Sequence, residues 1–322
     1  MVSAHLTKVI ALVGPTGVGK TEVSLHLAKQ LNAEIISADS MQIYRHMDIA
    51  TAKAAPEVRA QVPHHLLDIR DPGEPFSVME YQSLARACIT EIRGRGKMPL
   101  FVGGTGLYLR ATLEPYFFTP TAQDVAFRTS LLQRAKSEGS AGLHAELSAL
   151  DPESAAKLHV NDTRRIIRAL EVLHHGGVSI AAQAERTASA APLYDVLWIG
   201  LNRDRSELYA RIEARVEQML AAGLVEELQY LRQHYWQNDA DLHDSVAGQA
   251  LGYKEILPYL KGETELSTVA EALKKQTRHY ARRQLIWFKG IAAMNWFMLS
   301  EGETAEETAR RIGGFIWKKM PQ

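Results

Sequence analysis

The chain is expected to adopt an α/β fold, a parallel sheet around a phosphate-binding loop, flanked by helices and carrying an all-helical insertion. Three features predict it: short apolar runs alternate with helical stretches, one run feeds a Gly-x-x-x-x-Gly-Lys-Thr turn, and the rhythm stops for about seventy residues in mid-chain. The first run, Val9-Ile-Ala-Leu-Val13, is continuous and β-branched at both ends, as in a strand covered on both faces. After the turn, Leu25, Leu27, Ala28 and Leu31 keep helical spacing. Ile35-Ile-Ser-Ala38 is a second strand, ending at Asp39. Ser77-Val-Met-Glu80 matches a capping box with Phe76 as its staple, opening a helix that runs to about Ile92 before Gly94 and Gly96. Pro99-Leu-Phe-Val102 enters Gly103-Gly-Thr-Gly106 as a third strand, and Val196-Leu-Trp-Ile199 is a fourth. Residues 119–189 show only helical periodicity (Leu131, Leu143, Leu147, Ile166, Ile167, Leu170), so residues 1–118 and 190–322 should form the core. Everything after Leu201 reads as helical through Trp317.

Composition narrows the class. Hydrophobic residues make up 46% and charged residues 23%, the balance of a globular protein. One cysteine, Cys88, allows no internal disulfide and no cysteine metal cluster. Stretches free of charge, such as Met98 to Leu109, fall well short of the ~18 residues of a membrane span. The Val9–Val13 run is too short for a signal-peptide core. A soluble, cytoplasmic protein is the expectation, with no membrane partner. Basic and acidic residues balance at 37 each, yet Ala272 to Gly290 holds six Lys or Arg and no acid. Such a run is first read as a solvated helix face. No exposed heptad seam calls for a dimer, so a monomer is expected.

In Gly14-Pro-Thr-Gly-Val-Gly19-Lys20-Thr21 the glycines let N–H groups turn toward phosphate oxygens, and the helix that follows adds its positive end. Lys20 supplies a mobile charge, and the Thr21 hydroxyl can ligate Mg²⁺. A polyphosphate ligand follows; the reaction does not. The third strand ends in glycines rather than an acid that would face the metal, and no guanine-reading Asn-Lys-x-Asp is found. Asp39 has three readings: an outer partner of Mg²⁺ that acts through the ion's bound ligands, general base or helix N-cap. Thr105 should share its cleft. Arg211 and Arg215 stand four apart on one helix face and could clamp a diphosphate. On spacing alone, pairing with Glu207 and neighbours near Glu213 as an exposed face is the better reading. His64, His65 and Asp68 lack a further ligand at metal spacing, which favours a structural or substrate-lining role.

The phosphate loop, Asp39-Ser-Met-Gln-Ile-Tyr44, Asp48-Ile-Ala-Thr-Ala-Lys53, Pro63-His-His-Leu-Leu-Asp68, Phe76-Ser-Val78, Gly103-Gly-Thr-Gly-Leu-Tyr108, Asn161-Asp-Thr-Arg-Arg-Ile166 and Gly252-Tyr-Lys-Glu255, in this order, resemble the bacterial tRNA dimethylallyltransferases. The resemblance runs from about residue 8 to 290. The closing segment around Gln284 fits as well, although Leu285 and Ile286 vary its usual wording. It implies transfer of a dimethylallyl group from its diphosphate to the exocyclic N6 amine of the adenine 3′ to the anticodon, releasing diphosphate, with Mg²⁺. The implied catalytic residues are Asp39 as base, Thr105, Lys20 and Arg215. Diphosphate would lie against Gly14, Pro15, Thr16, Gly17, Val18, Gly19, Lys20, Thr21 and Arg211, with metal on Thr21. The tRNA anticodon stem-loop would meet Asp39, Ser40, Met41, Gln42, Thr105, Thr163, Arg164, Arg165, Ile166, Ile167, Gln249, Gly252, Tyr253, Lys254, Arg282, Arg283 and Lys289. Rival readings are a prenyltransferase of free adenine nucleotides, a small-molecule kinase, and an RNA-binding module without chemistry.

Overall fold

The computed structural model describes residues 6–118 and 124–320. Among them β1 (Thr7–Val13), β2 (Ala33–Ala38), β3 (His64–His65), β4 (Met98–Gly103), β5 (Tyr194–Asn202) and β6 (Asn295–Met298) form one sheet in the order β3-β2-β4-β1-β5-β6. Every pairing is parallel. Burial explains why. Val9 to Val13 and all of β2 are buried without alternation, the pattern of strands roofed on both faces. Successive side chains still point to opposite sides. Val9, Ala11, Val13, Ile36 and Phe101 enter one core, while Ile10, Leu12, Ile35 and Leu100 enter the other.

Two strands escaped the sequence reading. The expectation of helix throughout after Leu201 fails at β6, which pairs with β5 from Ile199 to Asn202. Its four residues alternate between partly buried and exposed, so the run Trp296-Phe297-Met298-Leu299, read as helical, instead pairs along the open edge of β5. β3 has two residues and pairs with Ile35 and Ile36. The helix Val78–Gly94 starts as expected: the Ser77 hydroxyl accepts the Glu80 N–H at 3.2 Å, and Glu80 accepts the Ser77 N–H at 2.9 Å.

Parallel strands deliver their C-terminal ends to one edge. Val13, Ala38, Gly103 and Asn202 therefore pass directly into Gly14, Asp39, Gly104 and Arg203 at the same rim, where open α/β sheets bind ligands.

The described chain divides into two compact units, one comprising the sheet with the C-terminal helices and the other spanning Glu114–Pro192. The expected opening of the insertion at residue 119 lies outside the described residues. The second unit is helical among its described residues: Val125–Glu138, Ser140–Leu150, Pro152–Ala156, Thr163–His174 and Ile180–Ser189. Capping sets most of these starts. Asp124, Asp151, Asp162 and Ser179 each accept a backbone N–H of the first turn. Leu131, Leu143, Leu147, Ile166, Ile167 and Leu170 close its core.

Candidate active site

The phosphate loop lies between β1 and the helix Lys20–Gln30. Gly19 precedes that helix at φ 103°, a left-handed conformation that glycine adopts without a Cβ penalty. Thr16, Gly17, Gly19, Lys20 and Thr21 line a cleft of about 600 Å³, within the usual size of a small-molecule site. The first-turn N–H groups of the helix have no intrahelical partner and face an anion naturally. Gly14, Pro15 and Val18 are buried and do not line the cleft; they form the frame of the loop. The Thr16 N–H is already committed to the Gln284 side chain at 2.8 Å.

That frame is tied from far away in the chain. Gln284, buried on the helix Leu266–Lys289, accepts the Thr16 N–H and donates to the Gly104 carbonyl at 3.1 Å. It thus joins the phosphate loop to the turn after β4. A Cβ on Gly104 would stand 2.0 Å from the Gln284 amide nitrogen, so only glycine admits this approach. Arg203 is also buried; its Nε donates to the Val18 carbonyl at 3.1 Å while its guanidinium pairs with Glu207. Replacing Gln284 with Ala leaves the buried Gly104 carbonyl without its partner, at about 1–3 kcal/mol, and frees the partly buried Thr16 N–H. A lower Tm together with a higher KM for the diphosphate substrate is the expected result; an unchanged KM would show that the tie does not position the loop.

Positive charge gathers on one wall. The Lys20 ammonium donates to the Gly14 and Pro15 carbonyls, both at 2.8 Å. Burial and the nearby Arg215 lower its pKa to about 7, against the pull of Asp39. Burial likewise lowers Arg215 from its usual range; Asp39 opposes this and Arg211 adds to it. Arg211 and Arg215 both line the cleft, and Arg211 donates to the Gly17 carbonyl at 3.0 Å. Arg211 stays exposed and Arg215 is partly buried, but neither pairs as the exposed-face reading expected. The glutamates proposed as their partners are taken, Glu207 by Arg203 and Glu213 by Arg278.

Asp39 faces this wall from the end of β2 and lines the same cleft. One carboxylate oxygen accepts the Met41 N–H at 2.9 Å, which anchors the side chain. Thr105 does not bond Asp39. Its oxygen accepts the Ser40 N–H at 3.0 Å and is also reached by Tyr280, whose phenol is pushed up by burial and by Asp39. Gln42 lines the cleft; its amide donates to the Thr51 carbonyl at 3.2 Å. The neighbouring loop is held by Glu227, which accepts the N–H groups of Asp48, Ile49 and Ala50 at 2.8, 2.7 and 3.0 Å. Tyr253 donates its hydroxyl to the same carboxylate.

The histidine pair is structural. His64 contacts the Val62 carbonyl at 2.7 Å and His65 contacts Glu34 at 2.7 Å, while Asp68 pairs with Lys53 and Arg59. Among the described residues no three His, Cys, Asp or Glu side chains cluster as a metal site.

The sequence matches known families over most of its length. The family described as IPP transferase matches residues 42–291, and isopentenyl transferase matches residues 7–65. The tRNA dimethylallyltransferase of Bacillus subtilis is 49% identical over 312 residues, covering 97% of each chain. The chain belongs to the tRNA dimethylallyltransferase family. A Geobacillus thermodenitrificans member is 48% identical over 311 residues, 95% of this chain and 96% of its own. Among solved structures, the full-length tRNA isopentenylpyrophosphate transferase of Bacillus halodurans shares 42% identity at TM-score 0.70, covering 97% of this chain and 96% of that one. A eukaryotic dimethylallyltransferase acting on tRNA shares 29% at TM-score 0.81, covering 95% and 77%.

Placed on this structure, the expected RNA-contacting residues divide. Arg164, Arg165, Lys254, Arg282, Arg283 and Lys289 are exposed, whereas Ser40, Met41, Thr163 and Gln249 are partly buried. Ile166, Ile167 and Tyr253 are fully enclosed, and Gly252 is buried, so these belong to the cores rather than to an RNA surface. In the basic run, Lys274 pairs with Glu217 and Glu271, and Arg278 with Glu213. Arg282 and Lys289, from its second half, line a further cleft, shared with Arg205 and Tyr209. No helix among the described residues is long and apolar enough to cross a membrane.

Proposed function

We infer that the chain transfers a dimethylallyl group from dimethylallyl diphosphate to the exocyclic N6 amine of the adenine 3′ to the tRNA anticodon. One observation carries this reading: a carboxylate, Asp39, lines the same cleft as the phosphate loop, Lys20, Arg211 and Arg215, close enough for its charge to act on Lys20 and Arg215. A base and an anion cradle thus share one cleft, as the transfer of a carbon from a diphosphate to an amine requires.

Adenine's amine is a weak nucleophile because its lone pair is shared with the ring. It attacks C1 of the donor while the C1–O bond breaks and its electron pair leaves with the diphosphate. Asp39 takes the N6 proton. Lys20, Arg215 and the helix N-terminus receive the charge that grows on the departing oxygen, an electrostatic contribution realised as the bond breaks. Thr105 holds Ser40, and with it the turn that carries Asp39. Thr21 offers a hard hydroxyl donor beside the phosphate cradle, which fits Mg²⁺, an ion that binds chiefly through substrate phosphates and keeps several waters. The metal would supply further charge neutralisation on the diphosphate.

The deciding experiment is mass spectrometry of nucleosides from tRNA treated with the protein and dimethylallyl diphosphate. A mass gain of one C5H8 unit on adenosine is expected; ATP consumption without prenylated RNA would reverse the conclusion. The basic residues give a second expectation. Arg282→Ala and Lys289→Ala should each reduce the salt slope of tRNA binding by about 1. Lys274→Ala, whose charge is already paired, should not.

A further inference from the structure

Beside the cleft opens a smaller cavity of about 80 Å³, which shares Thr16, Asp39, Thr51 and Arg215 with it. Those four mark its mouth. Beyond them the wall is apolar, formed by Ile212, Val216, Met219, Leu224, Ala250 and Leu273. Two threonines could have broken that character. Their hydroxyls are turned back onto the chain, Thr51 to the Met47 carbonyl at 2.6 Å and Thr277 to the Leu273 carbonyl at 2.7 Å. A chamber with a charged rim and a dry wall suits an anionic head with a short hydrocarbon tail. Its volume bounds that tail: it is about half that of a cavity that holds a benzene ring, so it seats the branched end of a five-carbon group whose first carbons lie in the mouth, and leaves no room for a second isoprene unit.

Arg211, Arg215 and Met219 lie at i, i+4 and i+8 along the helix Arg205–Ala221, one stripe leading from cation to thioether. Ile212, Val216, Leu224 and Leu273 are locked in the cores, with exposures of 0–3%. Met41 and Met219 are both only partly buried and unbranched, the adaptable parts of the wall, and Met219 is the one that continues the stripe from Arg211 and Arg215. We propose that this cavity seats the five-carbon tail of the donor and that Met219 sets the tail length the enzyme accepts. The assignment rests on the prenyl-transfer reading above.

The test compares kcat/KM for dimethylallyl and geranyl diphosphate on an anticodon stem-loop RNA, using the intact protein. The wild type should prefer the shorter donor by roughly 100-fold or more, as a pocket that lacks room for several added methylenes does. Met219→Ala should narrow that ratio by about tenfold through a gain on geranyl diphosphate. Inhibition by inorganic diphosphate should stay unchanged, because the head site is untouched. Ala50→Leu, which fills the same cavity, should lower use of the shorter donor by about tenfold with equal diphosphate inhibition, and it decides the matter should Met219→Ala not fold. An active Met219→Ala enzyme with the wild-type ratio, or an Ala50→Leu enzyme with unimpaired turnover, overturns the tail assignment alone. A wild type that alkylates RNA from neither donor overturns the transfer reading and this assignment together.

Discussion

Asp39→Asn should lower kcat by about 10²–10⁴-fold, the span a positioned general base contributes, while tRNA affinity stays near the wild-type value. The substitution is chosen because the amide keeps an oxygen able to accept the Met41 N–H that Asp39 now accepts at 2.9 Å. The local turn is therefore kept and only charge and basicity are removed. Single-turnover kinetics with saturating RNA and donor isolate the chemical step, and filter binding reports the affinity. The three sequence readings of Asp39 part company here. An N-cap role is already set aside, because Asp39 is followed by a turn and not by a helix. A metal-binding role predicts that raised magnesium rescues the variant. A base role predicts no rescue, and turnover within about tenfold of wild type would remove Asp39 from proton transfer.

The phosphate cradle was legible because its chemistry is local. Strand, glycine turn, lysine and helix follow within a few residues, and backbone geometry does the rest. What holds the cradle was hidden, since Gln284 reaches Thr16 across 268 residues and Arg203 reaches Val18 across 185. No periodicity links such positions. Glu227 was missed for the same reason, as it caps a loop 177–179 residues earlier. The errors among expected RNA contacts have another origin. A contacting segment was taken whole, yet the helix Thr163–His174 turns Ile166 and Ile167 into its core and leaves Arg164 and Arg165 outside. The 3.6-residue period already separated those faces. Charge counting failed in a parallel way along the helix Leu266–Lys289, where Lys274 and Arg278 meet glutamates of the helix Arg205–Ala221. Partners on another helix were invisible to the run itself.

Lys20→Ala should lower kcat/KM for the donor by roughly 10²–10³-fold, as when one preorganised electrostatic group is lost. The same lysine carries a sharper, pH-dependent signature. In the free protein its pKa is lowered to about 7, so at pH 8 most of the population holds a neutral amine bonded to the Gly14 and Pro15 carbonyls. Arriving diphosphate favours the ammonium and draws a proton onto it. Binding at pH 8 should therefore take up close to one proton, and affinity should fall as pH rises above about 7, by up to tenfold per unit. For stability the sign is the reverse. A depressed lysine pKa disfavours the fold most at low pH, and the fold regains stability as pH climbs from about 7 toward the unfolded value near 10.5. Calorimetric titration of inorganic diphosphate at pH 8, in two buffers of different ionisation enthalpy, measures the uptake. Lys20→Arg keeps a charge that does not titrate and subtracts the ligand's own protonation. Equal proton uptake in wild type and Lys20→Arg would mean that Lys20 is already charged in the free cleft, and that the cradle waits for its anion fully armed.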